Sequence, residues 1–199
     1  MRTDLSRYNV IGIGPGLGTE NATVEAMDQV LSTCTLPMVI DADALNILAA
    51  NNDLLKRLIP YSILSPHPKE FERLFGKAPN DFERVQLARR KAMELQVIII
   101  LKGHRTLIAT PGGEAFFNST GNAGMAAGGS GDVLTGILTG LMAQNYQPEQ
   151  AALLGVYLHG LAGDYAAQQK TQEAMIASDI VECLGQAFAD ISGLTAAQN

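Results

Sequence analysis

The chain has 199 residues, 47% of them hydrophobic and 17% charged. That length bounds it to one domain or two small ones, and the apolar share excludes a disordered or polyelectrolyte chain. Lys and Arg number 14 against 20 Asp and Glu, for a formal charge of -6. With no basic run, neither nucleic acid nor an anionic membrane is an expected partner.

Cys34 and Cys183 are the only cysteines. Two distant thiols without a CxxC offer neither a disulfide framework nor a thiolate zinc site. The start carries Arg2, Asp4 and Arg7 and no long apolar stretch, so no signal peptide is read there. The apolar run at 97–101 is too short to span a bilayer. The expectation is a soluble, cytoplasmic protein.

In chain order, residues 8–13 (YNVIGI) read as a buried strand stopped by glycine, followed by the loop GPGLG. Thr19 or Asn21 then caps a helix to about Ser32. Residues 37–40 form a second strand ending in DADAL, and a short helix begins at 45–48. A third strand, 62–64, runs into Ser-Pro-His-Pro; a helix over 70–75 ends at Gly76, and Asp81 caps a longer charged helix to about Gln96. On that helix Arg84, Arg89, Arg90 and Lys91 make a solvated face. Residues 97–101 are the clearest buried strand, ended by Lys102-Gly103. Residues 106–110 and 114–118 flank Pro111-Gly112-Gly113 as a hairpin. A glycine-rich loop over 121–131 follows, and then helices at 132–143, 148–169 and 178–191, with Pro148 in a first turn and Ser178 as a cap. Residues 195–199 are expected to fray. Strand–helix alternation with a helical tail predicts an α/β domain with a largely parallel sheet, one domain over 1–199 without repeat or linker.

In such sheets ligands gather beyond the carboxyl ends of the strands, where GPGLG, DADAL, His67 to Glu70 and Lys102-Gly103 all fall. The loop GNAGMAAGGSGD carries the strongest signal. Its glycines let main-chain amides approach a ligand, and it feeds directly into an apolar helix whose first amides suit an anion. Asp132 at that helix start reads as a base for an attacking hydroxyl or, more plainly, as a helix cap; the phosphate reading is favoured. No GxxxxGK[ST] exists, and GPGLG is not a dinucleotide fingerprint, so it reads equally as a ligand contact or a tight turn. Of Asp41 and Asp43, one is read as accepting from loop amides and the other as facing a hydrated metal or a substrate hydroxyl, with two exposed caps as the plain alternative. His67 and Glu70 face one way across Pro68, and Glu70 suits magnesium held through water. Lys102 suits a phosphate. His104 reads as solvated or as a nucleotide contact, and His159, in VYLHGLAG, reads as a packed core histidine.

Taken in order, GPGLG, DADAL, SPHPKEFERL, LKG and GNAGMAAGGSGDVLTGIL resemble the NAD(P)H-hydrate dehydratase family of the ribokinase-like superfamily, over nearly the whole chain. The resemblance implies a three-layer ribokinase-like sandwich, its mostly parallel central sheet flanked by helices and shortened at the N-terminus. It implies ADP or ATP with Mg2+ as cofactors, and phosphorylation of the ring hydroxyl of hydrated NADH or NADPH, with loss of phosphate restoring the dinucleotide. By position, Asp132 is then the base, and Gly129, Ser130 and Gly131 the anion hole. Lys102, Gly103, His104, Arg105, Thr106, Asn122, Ala123, Gly124, Met125, Gly128 and Gly131 match nucleotide contacts. Gly16, His67 and Asp132 match substrate contacts, and Glu70 and Asp41 are the metal candidates, Glu70 taking the carboxylate's place in an Asn-x-x-Glu whose asparagine is His67. Ser65 and Ala127 stand where threonine is usual, and Lys69 where glycine is common. The resemblance also implies a homo-oligomer. A small-molecule kinase of the same superfamily and a non-catalytic nucleotide-binding fragment are the alternatives.

Overall fold

In the computed structural model residues 7–193 are described. The expected leader-free start and the frayed end at 195–199 lie wholly or largely outside them. Six strands form one sheet in chain order: β1 (Ile11–Ile13), β2 (Met38–Ile40), β3 (Ile63–Leu64), β4 (Ile98–Leu101), β5 (Leu107–Ala109) and β6 (Ala115–Phe117). The first four run parallel, Ile13 opposite Ile40 and Ile40 opposite Leu64; β4, β5 and β6 run antiparallel.

The strands are apolar on both faces because both faces are covered. Met38, Ile40, Leu64, Ile99, Leu101 and Leu107 point to one core, shared with α1 (Asn21–Thr33), α2 (Ala42–Ala50), α3 (Asn52–Leu55), α4 (Pro68–Phe75) and α5 (Asp81–Leu95). Their alternates Val39, Ile63, Ile98, Ile100 and Ile108 point to the other, under α6 (Ser130–Ala143) and α7 (Pro148–Lys170). Each parallel strand steps one place in the same direction, so right-handed crossovers put α1 to α5 on a single side. The outer helix α8 (Ala177–Ile191) lies on α7 through Leu158, Ala162, Ile180 and Cys183. The expected three-layer sandwich is therefore observed, and among the described residues no helix is long and apolar enough to cross a membrane.

Local details differ from the sequence reading. Strand β1 starts at Ile11, and Tyr8, expected within it, lies outside it and is exposed. Helix α2 starts directly after Asp41, whose Oδ1 accepts from the Ala42 amide at 2.8 Å. The cap of α5 is Asn80, accepting from the Glu83 amide, rather than Asp81. At α8 it is Asp179 that closes back on the Ile176 amide, not Ser178 as cap. No side chain caps α1, and α3 was not foreseen.

Two loops at the strand ends are keyed together. The Gly18 amide donates to Asp43 Oδ2 at 2.9 Å, so Asp43 is the carboxylate that serves loop amides. Gly14 sits at φ +136, and a Cβ there would drive into the Asp41 carbonyl oxygen. Gly14→Ala is accordingly expected to lower the unfolding free energy by at least about 3 kcal/mol, through backbone strain and displacement of Asp41. Denaturant titration reads this directly, and a midpoint equal to wild type would contradict it.

Candidate active site

The carboxyl ends of β2 and β4 and the start of α6 converge on one ion pair. Asp41, 1% exposed, follows β2; Lys102 follows β4. Lys102 Nζ donates to Asp41 Oδ1 at 2.7 Å and to Oδ2 at 3.0 Å, and Thr135 Oγ1 of α6 donates to Oδ2 at 2.9 Å. With the Ala42 amide, these donors fill both carboxylate oxygens. The pairing corrects the expectations for Asp41: it is neither an exposed cap nor a metal ligand, because the ammonium of Lys102 is the cation it holds. A Cβ on Gly131 would lie 3.3 Å from Lys102 Nζ, so the absent side chain lets the charge sit against the first turn of α6.

That first turn is built for an anion. Gly129 (φ +86) is the residue before the helix, and no side chain caps it. The Ser130 amide turns back to the Ala127 carbonyl at 3.3 Å, and Val133 donates to Gly129, opening the helical ladder. The amides of Gly131 and Asp132 are left as first-turn donors at the positive end of a 14-residue helix. Asp132 itself is exposed, with no hydrogen-bond or ion-pair partner among the described residues. The capping alternative for its side chain therefore has no bond behind it.

In front of this turn opens a cleft of about 610 Å³, within the range of small-molecule sites. Of the expected nucleotide contacts, Lys102, Gly103, His104, Thr106, Asn122, Ala123, Met125 and Gly131 line it, as do His67 and Ser130. Arg105, Gly124, Gly128, Gly129, Gly16, Glu70 and Asp132 do not. Arg105 instead donates to the Ser119 carbonyl, and Gly16 is exposed at φ +65 in its turn. Asn122 shapes the loop as much as it lines the cleft. Its Nδ2 donates to Asp164 Oδ1 and to the Gly163 carbonyl, while its Oδ1 accepts from the Gly124 amide. The Gly121 amide adds a bond to Asp164 Oδ2, pinning the loop to α7.

Beyond the end of β3, His67 caps α4. Its Nδ1 accepts from the amides of Lys69 and Glu70, and Glu70 Oε2 accepts from the His67 amide at 2.8 Å. Glu70 Oε1 lies 3.4 Å from His67 Nε2. Histidine thus caps α4, and Glu70, 6% exposed, is occupied by that box. Among the described residues no cluster of three or more His, Cys, Asp or Glu could hold a metal. The residues fit a phosphate-bearing nucleotide, by cleft, cation and free amides; they do not fit a protein-built magnesium cage. Ser65 Oγ nearby is buried and has no hydrogen-bond partner.

His159, expected as a packed core histidine, belongs to the cleft. It lines the cleft rather than filling the core, and its Nε2 lies 3.3 Å from Ser130 Oγ. Burial, reinforced by the Lys102 charge and opposed by a bond to the Ser130 backbone, pushes its pKa down to about 4. The folded value lies below the unfolded one, so the unfolded chain binds more protons between about pH 6.5 and 4. The stability linked to neutral His159 is complete above that window and lost as pH falls through it, by up to about 3 kcal/mol. Unfolding free energies of wild type and His159→Gln, measured at pH 7 and pH 4, should show the wild type losing more by about that amount. Equal losses would contradict the assignment.

A mostly parallel three-layer sandwich with a glycine-led helix start above its strand ends is the ribokinase-like class. A ribokinase-like superfamily protein from Enterococcus faecalis superposes with a TM-score of 0.76 at 31% identity, covering 92% of this chain and 63% of that one. Within that class the chain belongs to the NAD(P)H-hydrate dehydratase family, whose model matches residues 1–186. It is 47% identical over 182 residues to the bifunctional NAD(P)H-hydrate repair enzyme Nnr of Moorella thermoacetica, covering 90% of this chain and 34% of that protein. It is 38% identical over 179 residues to the ADP-dependent (S)-NAD(P)H-hydrate dehydratase of Bacillus subtilis, covering 89% and 63%. The solved ADP/ATP-dependent NAD(P)H-hydrate dehydratase from Bacillus subtilis, co-crystallised with ATP/Mg2+ and soaked with CoA, superposes with a TM-score of 0.79 at 35% identity, over 92% of this chain and 66% of that one. The chain therefore spans about a third of the bifunctional relative and under two thirds of the monofunctional one.

Proposed function

We propose that this chain binds ADP or ATP in the cleft and uses it to repair hydrated NADH and NADPH. The observation that carries the reading is the pair of free amides at the start of α6, with the Lys102 ammonium held against Gly131. Oriented amides and a fixed cation stabilise charge on a migrating phosphoryl group without reorganising, commonly the largest catalytic contribution. Asp132 takes the proton of the ring hydroxyl as its oxygen bonds to phosphorus and the bond to the nucleotide breaks. His67, beyond the end of β3, contacts the dinucleotide, and Gly16 approaches it from the loop after β1. Cleavage of the carbon–oxygen bond then releases phosphate and, with loss of the neighbouring ring proton, restores the double bond. Magnesium would neutralise phosphate charge, held by phosphate oxygens and water rather than by a protein cage.

The reading extends to a cytoplasmic homo-oligomer, supported by the exposed Val181, Phe188 and Ile191 on the outer helix, and to one domain spanning the chain. The test is incubation of the chain with Mg2+, ADP or ATP, and hydrated NADH. Return of the reduced-nicotinamide absorbance, with nucleotide consumed in step, supports the dehydratase. Phosphorylation of a different alcohol supports a small-molecule kinase instead, and binding without either leaves a nucleotide-binding fragment.

A further inference from the structure

Ser130 is the first residue of α6, and its main-chain amide is already committed to the Ala127 carbonyl. Its contribution to an anion must therefore come from the hydroxyl, which corrects the expectation that the amides of residues 129–131 act alike. That hydroxyl is buried, yet Ser130 lines the cleft, and its one side-chain partner among the described residues is His159 Nε2. A hydroxyl has one hydrogen to give and two lone pairs to offer, so its partner decides where the hydrogen goes. If the imidazole accepts, the hydrogen is spent on the ring and only lone pairs face the anion, which repels them. If the imidazole donates, the hydrogen is free for a phosphate oxygen.

We propose that His159 is a positioning residue for the anion site: its ring N–H donates to Ser130 Oγ and turns the Ser130 hydroxyl hydrogen toward the phosphate of a bound nucleotide. The inference rests on the cleft being a nucleotide site, and not on the dehydration itself. An anion in the cleft favours the donating tautomer, because only then does it meet the Ser130 hydrogen rather than lone pairs. Burial and the Lys102 ammonium both disfavour a charged imidazole, so the ring supplies a directed dipole rather than a second cation. A histidine that merely packed α7 against α6 would need no polar atom directed at Ser130 Oγ.

Calorimetric titration of the full chain with ADP and with adenosine, which lacks the phosphates, tests this. Ser130→Ala and His159→Phe should each weaken ADP by roughly five- to twentyfold, the scale of a hydrogen bond to a charged group, and leave adenosine unchanged. His159→Gln, whose amide N–H can donate from a similar place, should retain most of the ADP affinity. The double variant S130A/H159F should bind ADP no more weakly than S130A alone, since His159 acts through the hydroxyl. Equal losses for ADP and adenosine, multiplying losses in the double variant, or H159Q as weak as H159F would each overturn the inference. A wild-type chain that binds no ADP removes both this inference and the proposed function. Turnover is scored separately: the predicted ADP pattern without recovery of NADH sinks the reaction and leaves the positioning role standing.

Discussion

Asp132→Asn is expected to lower the rate of NADH recovery by about a hundredfold or more while leaving ADP affinity within a few fold. The side chain is exposed and has no partner among the described residues, so the isosteric amide breaks no contact that the fold depends on. What the substitution removes is the acceptor for the hydroxyl proton. A carboxylate at the mouth of an anion site carries an electrostatic cost while phosphate is bound, which makes sense if it is needed for proton transfer. Because Asn removes that repulsion, any shift in ADP affinity should be toward tighter binding. Rates and ADP titrations on the same preparation check both halves, and an unchanged rate removes the assignment.

Lys102→Met is expected to cost both stability and nucleotide. Asp41 is 2% exposed at its side chain and Lys102 only 23%, so deleting the ammonium leaves a buried carboxylate with two neutral donors, the Ala42 amide and Thr135. Breaking one partner of such a pair typically costs about 3–5 kcal/mol, and the partial exposure of Lys102 puts this case near 3. Adding Asp41→Asn should recover part of the loss, because no uncompensated charge then remains, while ADP binding stays weak in both variants. Denaturant unfolding and ADP titration separate the two effects. A K102M chain as stable as wild type, with ADP affinity intact, would contradict the role given to the ion pair.

How far the sequence foretold this arrangement depends on the distance over which each signal acts. The strand runs MVI and IIIL and the glycine-led start of α6 are written in consecutive residues, and they appear where the pattern put them. The Asp41–Lys102 pair joins residues 61 apart, and nothing local to either shows that β2 and β4 end side by side across β3. A carboxylate at a strand end looked the same whether it faced solvent, a metal or a lysine. His159 was misread because an imidazole in an Ala, Leu and Gly helix fits a core as well as a cleft. A signal lay five residues on: Asp164, a carboxylate in the middle of the same helix, needed donors, and Gly121 and Asn122 supply them. The capping misreadings at Asn80 and Asp179 are one-residue choices between neighbouring polar side chains, settled only by the backbone turn before each helix.

Transfer of a phosphoryl group to the substrate's own hydroxyl has a consequence that no binding experiment can imitate. Hydrated NADH prepared with oxygen-18 in that hydroxyl, turned over with ADP and Mg2+, should yield inorganic phosphate carrying the label, since the substrate oxygen leaves bonded to phosphorus. Label found in water, with unlabelled phosphate, would mean that the hydroxyl departs without ever meeting the phosphoryl group held at the start of α6.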